Sequence, residues 1–239
     1  MTALSVNINK IATLRNARGG ETPNLIEHAL NIEKFGANGI TVHPRPDERH
    51  IKYEDVRELK KNISVELNIE GNPKEKSFID LVLETLPTQV TLVPDITGQL
   101  TSDHGWDTIK YKTFLTETIE LFKANNIRTS LFLDPDERFI IGAKEIGTER
   151  VELYTESYAS NFRKDKIKAI KPYIESANLA NKLSLGLNAG HDLNMQNLRY
   201  FSKNIKHLKE VSIGHALISD ALNYGMENTV NMYLRTIKQ

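Results

Sequence analysis

Short runs of β-branched and aliphatic residues alternate with longer amphipathic stretches along the whole chain. This alternation is typical of parallel strands joined by helical crossovers. The pattern predicts strands over residues 4–9, 39–43, 65–69, 89–93, 129–133, 150–154, 183–188 and 210–213. It predicts helices over residues 24–35, 53–60, 74–86, 108–124, 137–145, 164–181, 194–201 and 216–237. Eight strand and helix units in 239 residues predict a single (β/α)₈ barrel, the TIM-barrel fold, as one domain over 1–239.

Polar and apolar residues also alternate within the predicted strands. In the first strand Ser5, Asn7 and Asn9 share one face, and Val6 and Ile8 take the other. The second, third, seventh and eighth strands repeat this division. We expect the apolar face to pack on the helices and the polar face to line the barrel interior. Because burying unpaired polar groups is costly, this interior is predicted to hold a polar ligand.

The amino-acid composition argues against several classes of binding partner and cofactor. The 31 basic and 31 acidic residues cancel, and the pI is about 7.1, so no overall field favours nucleic acid or an anionic membrane. The absence of cysteine excludes disulfides, a thiol nucleophile and thiolate metal sites. The first residues lack a signal-peptide pattern, and no apolar run is long enough to span a bilayer. These features predict a soluble cytoplasmic protein.

Titratable residues cluster where the predicted strands end. The carboxyl ends of barrel strands form the catalytic face of this fold. A single histidine there is more often structural, but convergence from independent strands favours a functional site. The residues concerned are Asn7, Asn9, His43, Arg45, Glu70, Glu152, His191 and His215.

The two glutamates suggest different chemistry. A carboxylate in a partly dehydrated barrel mouth has a raised pKa, so Glu70 is a candidate general base for carbon acids. The structural alternative is a salt bridge to an arginine. Glu152 could stabilise a developing positive charge such as an iminium, or could pair with a lysine or arginine.

Three segments are candidate phosphate sites. Residues 15–20 form a basic, glycine-containing stretch that we expect to be a flexible loop after the first strand, and residues 45–50, which follow the second strand, contribute two further arginines. Either could instead be a solvated charged turn. Residues 213–216 lead into the last helix, whose N-terminus favours an anion. The chain has no HxH or HExxH spacing, Walker loop or GxGxxG turn, so neither a metal nor a nucleotide cofactor is expected.

Two long segments carry a specific resemblance. Residues 7–19 (NINKIATLRNARG) and 39–51 (GITVHPRPDERHI) resemble the signature segments of the pyridoxine 5′-phosphate synthase family. Shorter matches follow in the family's order at 68–70, 92–94, 188–191 and 213–216. The resemblance covers essentially the whole chain. It implies a barrel with extra helices that works as a homo-octamer without a metal.

The resemblance also implies a reaction and site roles. The family is a ring-closing condensing synthase of the transferase class, which joins 1-deoxy-D-xylulose 5-phosphate to 3-amino-2-oxopropyl phosphate. The products are pyridoxine 5′-phosphate (a vitamin B6 compound), phosphate and water. By resemblance, His43 and Glu70 accept protons, His191 donates one, and Glu152 stabilises a transition state. The deoxyxylulose phosphate would contact Asn9, Lys10, Arg45, His50 and Thr101, and the amino-ketone phosphate would contact Asn7, Arg18, Gly214 and His215.

Two positions depart from the family pattern. An Asp-His pair is usual where this chain has Asn9 and Lys10, and a glycine is usual at Asp192. Lys10 can still donate to substrate oxygens. Asp192 can offer an anion only its backbone N–H, and we expect it to bind substrate through that group.

Two other functions are compatible with the same residues. One is an aldolase-like barrel in which Lys10 forms a Schiff base, since a lysine beside other cations can lose its proton more readily. The other is a phosphosugar-binding barrel without turnover, because a fold and an anion site do not by themselves give chemistry.

Overall fold

The structure is a computed structural model that describes residues 1–96, 98–99 and 101–238. Eight parallel strands close into a barrel in chain order, each paired with the next and β8 with β1. The strands are β1 Ala3–Asn7, β2 Gly39–Val42, β3 Glu66–Gly71, β4 Gln89–Leu92, β5 Arg128–Leu133, β6 Arg150–Tyr154, β7 Gly186–Gly190 and β8 Leu208–Ile213. The predicted (β/α)₈ fold is therefore confirmed.

Ten helices pack around this barrel in the described part of the chain. Most begin and end at ordinary signals: the Asn24 side chain caps the second helix by accepting from the N–H of Glu27, and Gly147 ends the sixth with φ of 89°. The helices are α1 Asn9–Asn16, α2 Leu25–Lys34, α3 Tyr53–Asn62, α4 Lys76–Thr85, α5 Lys112–Ala124, α6 Glu137–Ile146, α7 Glu156–Lys182, α8 Leu198–Asn204, α9 His215–Tyr224 and α10 Met226–Ile237. None of these helices combines the length and apolar character needed to cross a membrane.

Several predicted boundaries were wrong, among them the start of α7, which begins at Glu156 rather than at residue 164. The first strand ends at Asn7, and residues 9–16 form α1, which buries Ile11, Ala12 and Arg15 at helical spacing. The predicted flexible loop therefore begins only after this helix. The predicted strand at 183–188 starts later, at Gly186. The long final helix is two helices, because Gly225 takes φ of 76°, where glycine has no steric penalty.

The barrel interior is polar, as the alternation within the strands predicted. Hydroxyl and amide groups from four neighbouring strands form a hydrogen-bonded chain: Ser5 Oγ to Thr41 Oγ1 at 2.7 Å, Asn68 Nδ2 to Thr41 Oγ1 at 3.3 Å, and Thr91 Oγ1 to Asn68 Oδ1 at 3.0 Å. All four side chains are buried. The chain satisfies groups that would otherwise be costly inside a barrel.

Two ion pairs occupy the amino-terminal end of the interior. Arg128 pairs with Glu66, and its Nε donates to Gln89 Oε1 at 2.9 Å. Arg150 lies 3.3 Å from the Glu210 carboxylate. Aliphatic residues on the opposite face of the strands pack against the helices and form the main apolar core. The chemistry left for a ligand is therefore concentrated at the carboxyl end.

Candidate active site

A cavity of about 640 Å³ opens at the carboxyl ends of the strands. It is lined by every predicted site residue except Arg18 and Glu152. The carboxyl ends of the strands and the segments that follow them supply this lining, which is the arrangement typical of the barrel fold. The predicted residues that line it are Asn7, Asn9, Lys10, His43, Arg45, Glu70, His50, Thr101, His191, Asp192, Gly214 and His215.

His43 and Glu70 lie side by side in the cavity wall. His43 Nδ1 is 3.7 Å from Glu70 Oε2, and the same carboxylate oxygen accepts a hydrogen bond from Asn7 Nδ2 at 3.3 Å. The backbone N–H of His43 donates to Asn9 Oδ1 at 3.0 Å, which ties β2 to the start of α1. Glu70 therefore contacts an imidazole and an amide rather than the arginine of the structural alternative.

The surroundings shift the pKa of both groups toward their neutral forms. Burial raises the pKa of Glu70 to about 8, with a further contribution from the negative charge of Asp95. Burial also holds the pKa of His43 well below its ordinary value, and the positive charge of Arg45 acts in the same direction. At neutral pH the site thus contains an uncharged imidazole beside a carboxyl group that is only partly ionised.

Asp95 is a central residue of the site that the sequence argument did not single out. It is buried, and its Oδ2 lies 2.6 Å from Arg45 Nη2, accepts from Ser102 Oγ at 2.8 Å and lies 4.0 Å from His43 Nε2. It lies three residues after the end of β4, as Arg45 does after β2, so the rule applied to the other strand ends would have included it. Asp95 fixes the Arg45 guanidinium against the cavity wall.

His50 faces the cavity as an uncharged donor. Its Nδ1 accepts a hydrogen bond from the N–H of Ile51 at 2.9 Å, which leaves the proton on Nε2 in the neutral ring. Burial lowers the pKa of His50 to about 4, and the charges of Arg45 and Arg49 add to this effect. His50 can therefore donate one hydrogen bond to a bound oxygen without carrying charge.

His191 is held on several sides at the end of β7. Its Nε2 lies 2.9 Å from Thr101 Oγ1, and its Nδ1 lies 2.6 Å from Asp192 Oδ2. The ring meets the edge of Tyr154 with the centroids 5.0 Å apart, and the hydroxyl of Thr155 donates to the His191 carbonyl. The imidazole is therefore oriented by neighbouring protein groups.

Glu152 lies inside the barrel rather than at its rim. It is buried, and a Cβ placed on Gly190 would lie 2.4 Å from Glu152 Oε1. Its Oε2 has no hydrogen-bond partner among the described residues. Burial raises the pKa of Glu152 well above its ordinary value, and the charge of Glu70 contributes next. The surroundings of Glu152 therefore favour its neutral form. Among the described residues it has no ion pair with a lysine or arginine, and it does not line the cavity at the barrel rim as predicted.

The predicted anion-binding segments separate into two groups. Gly214 and His215 begin α9 at the cavity edge, where the first N–H groups of that ten-residue helix are available. Arg15 is instead structural, since its guanidinium makes hydrogen bonds of 2.6 and 2.8 Å to Asp55. Arg18 lies on the exposed turn after α1 and does not line the cavity.

Further lining residues were absent from the sequence prediction. Tyr154 contributes an aromatic wall beside His191, and Ser102 and Thr13 contribute hydroxyls. Tyr154 belongs to an apolar cluster with Val93 and Phe132. These three continue the inward-facing positions of β4, β5 and β6, and Tyr154 is the one of them that lines the cavity.

Fold and site together define a (β/α)₈-barrel enzyme with acid–base groups gathered at the mouth of the barrel. Comparison with known families is more specific. Residues 4–239 match the family model described as "Pyridoxal phosphate biosynthesis protein PdxJ". The chain belongs to this PdxJ family.

Full-length relatives give the same result. The chain is 61% identical to a protein of Christiangramia forsetii over 238 residues and 58% identical to one of Flavobacterium johnsoniae over 238 residues. Each alignment covers 100% of both proteins, and both relatives are named pyridoxine 5′-phosphate synthase.

Solved structures support the fold independently. Phosphoribosyl anthranilate isomerase from Thermotoga maritima superimposes with a TM-score of 0.61 at 16% identity, covering 100% of this chain and 99% of the other. At this low identity the similarity concerns the barrel alone.

Proposed function

We propose that this chain catalyses the reaction for which its relatives are named, the formation of pyridoxine 5′-phosphate. The substrates would be 1-deoxy-D-xylulose 5-phosphate and 3-amino-2-oxopropyl phosphate, with phosphate and water released. The observation that carries the proposal is the meeting of His43, Glu70 and His191 around one 640 Å³ cavity in a PdxJ-family chain. A cavity of this size suits small phosphorylated substrates.

His43 and Glu70 are proposed as the proton acceptors. An uncharged imidazole has a free lone pair at neutral pH, and the burial of His43 keeps it in that form. Glu70 has a pKa of about 8, close to the operating pH, which is the range in which a general base is most effective. Their separation of 3.7 Å allows both to address neighbouring C–H bonds of one bound skeleton.

His191 and Glu152 are proposed to support the opposite steps. Oriented on the facing side of the cavity, His191 would donate a proton to a leaving oxygen. Glu152 shares the interior with Glu70, and the charge of Glu70 disfavours ionisation of Glu152. A positive charge that develops on an iminium would favour ionisation of this acidic pair, so Glu152 would stabilise a cationic transition state.

Two phosphate positions are proposed on opposite sides of the cavity. Arg45, His50, Thr101, Asn9 and Lys10 would hold the deoxyxylulose phosphate. The amino-ketone phosphate would lie at the start of α9 and contact the following residues: Asn7, Gly214, His215 and the backbone N–H of Asp192. Arg18 would join this second position only if the turn after α1 moved toward the cavity.

The chemistry follows from the substrates. The amine of one substrate attacks the ketone of the other, and loss of water gives an imine. The imine acidifies neighbouring C–H bonds, so that Glu70 or His43 can remove a proton while a leaving group departs with a proton from an acid such as His191. Holding both phosphate groups converts a bimolecular encounter into a positioned reaction.

The test is direct synthesis. Purified protein is mixed with both substrates, and pyridoxine 5′-phosphate and orthophosphate are measured; each substrate alone serves as the control. Equal amounts of the two products, formed only with both substrates, are expected. Binding of deoxyxylulose phosphate without any product would contradict the proposal and favour a phosphosugar-binding barrel. A borohydride-trapped adduct on Lys10 would favour the aldolase-like alternative.

We also propose an assembly and a location for the protein. The homo-octamer is implied by the resemblance, and exposed apolar side chains such as Leu222, Ile109 and Ile96 are the kind that subunit contacts cover. Light scattering of the purified protein tests this state. The chain has no cysteine and so needs no disulfide, which is compatible with the reducing cytoplasm and supports a cytoplasmic location. Fractionation of cells that produce the protein tests this location.

A further inference from the structure

We propose that Asp192 is a positioning residue for His191, and that its carboxylate selects the tautomer and the direction of the imidazole that faces the substrate. This role concerns the side chain of Asp192 and is separate from the backbone contact proposed above. It rests on the proposed function only in assigning His191 as the proton donor.

The geometry of the pair supports this role. Asp192 Oδ2 lies 2.6 Å from His191 Nδ1, and an ionised carboxylate can only accept a hydrogen bond. The proton of the neutral ring is therefore held on Nδ1, which leaves Nε2 as the nitrogen that faces Thr101 across the cavity mouth. The hydrogen bond from His191 in turn lowers the pKa of the Asp192 carboxyl, which keeps it ionised.

The backbone that presents the pair is itself fixed. His191 and Asp192 both have positive φ, 84° and 58°, in the left-handed region that residues with a Cβ rarely adopt. Two buried or partly buried amides maintain this turn: Asn197 Nδ2 and Asn194 Nδ2 donate to the Asp192 carbonyl at 3.1 and 3.2 Å. In this turn the carboxylate reaches the imidazole of the adjacent residue.

The hydrogen bond to Asp192 is compatible with transfer of a proton from the other ring nitrogen of His191. The imidazolium carries protons on both nitrogens, and Nε2–H is transferred to the leaving oxygen. The Nδ1–H bond to Asp192 is kept throughout, so the ring ends neutral with Nε2 bare, and solvent returns one proton to Nε2 for the next cycle. Fixing a ring in one tautomer through a carboxylate is a general way to support acid–base catalysis.

Two substitutions separate the role of charge from that of geometry. Asp192→Gly removes the carboxylate, and glycine accepts φ of 58° without strain, so the turn is expected to fold. Asp192→Asn keeps an acceptor oxygen of the same shape without the charge. Asp103→Asn is the matched control, because Asp103 makes the same kind of contact with the ring of the next residue, His104, on an exposed loop.

The primary measurement is independent of activity. Solid-state ¹⁵N spectra of histidine-labelled protein, with His191→Gln to assign the signal, report which nitrogen of the neutral ring is protonated. Wild-type protein and Asp103→Asn are expected to show His191 with its proton on Nδ1. Asp192→Gly is expected to shift a large part of the population to Nε2–H, and Asp192→Asn a smaller part.

Kinetics give the second measurement. We expect kcat of Asp192→Gly to fall roughly tenfold, a part of the ~10²–10⁴-fold that a positioned general acid contributes, with KM changed little. An unchanged His191 tautomer in both Asp192 variants would overturn the inference, even if the protein makes pyridoxine 5′-phosphate. If wild-type protein makes no product, the proposed function fails, while the tautomer result still decides the role of Asp192.

Discussion

Replacement of Glu70 by glutamine is expected to make the protein more stable and less active, and the gain in stability should grow with pH. The carboxyl group is buried and has a pKa of about 8, compared with 4.5 in an exposed chain. Between these two values the folded protein binds a proton at Glu70 that the unfolded chain releases. The free energy of unfolding therefore falls as pH rises through this window, and glutamine does not ionise and so removes this loss.

The magnitude follows from the shift in pKa. Each unit of pH inside the window changes the free energy of unfolding by about 1.4 kcal/mol. The shift at Glu70 implies that the stability difference between Glu70→Gln and wild type rises by about 3 kcal/mol from pH 5 to pH 8. Turnover of the same variant is expected to fall by about 10² or more, since the general base is lost.

The assay is urea unfolding of both proteins at intervals of one pH unit from 5 to 8, followed by fluorescence and circular dichroism. Taking the difference at each pH removes the contribution of every other titrating group that the two proteins share. Glu84→Gln is the control: Arg57 lowers the pKa of exposed Glu84, so its difference curve should be flat above about pH 6. A flat curve for Glu70→Gln as well would refute the buried, proton-binding state assigned to Glu70.

Three further outcomes are expected. Asp95→Asn removes a negative charge that raises the pKa of Glu70, so the rising limb of kcat/KM should move to lower pH; an unmoved limb would contradict the electrostatic link. Gly190→Ala places a Cβ 2.4 Å from Glu152 Oε1 and should cost about 1–3 kcal/mol in urea unfolding, whereas wild-type stability would mean that Glu152 is free to move. Arg15→Lys loses the bidentate hydrogen bonds to Asp55 near the start of α3, and should lower the free energy of unfolding by about 1–3 kcal/mol without changing KM. A raised KM would indicate that Arg15 contributes to substrate binding.

The sequence predicted the barrel well because its signal is local. Alternation with a period of two residues identifies a strand and also assigns its faces, so the inward position of Asn68 and Thr41 followed from the pattern alone. Helix α1 was missed because residues 7–9 continue the alternation of β1. The spacing of the apolar residues Ile8, Ile11 and Ala12, at i, i+3 and i+4, is a signal in the sequence that could have found it.

The site was predicted in its membership better than in its geometry. Strand ends converge in any such barrel, so His43, Glu70 and His191 could be grouped from the sequence. The depth of Glu152 and the pairing of Arg45 with Asp95 depend on how far each side chain extends, which the order of residues does not encode. The contact of Asp192 with His191 is made in a turn in which both residues have positive φ, and the order of residues does not indicate this turn.

The hydroxyl and amide chain through Ser5, Thr41, Asn68 and Thr91 has a consequence for how this barrel can be altered. Each of these side chains forms its hydrogen bond with a side chain on the next strand. An aliphatic side chain introduced at one position would therefore leave the neighbouring polar group buried without a hydrogen-bond partner. Substitutions in the barrel centre, whether designed or evolved among relatives, should therefore occur in hydrogen-bonded pairs of residues rather than singly.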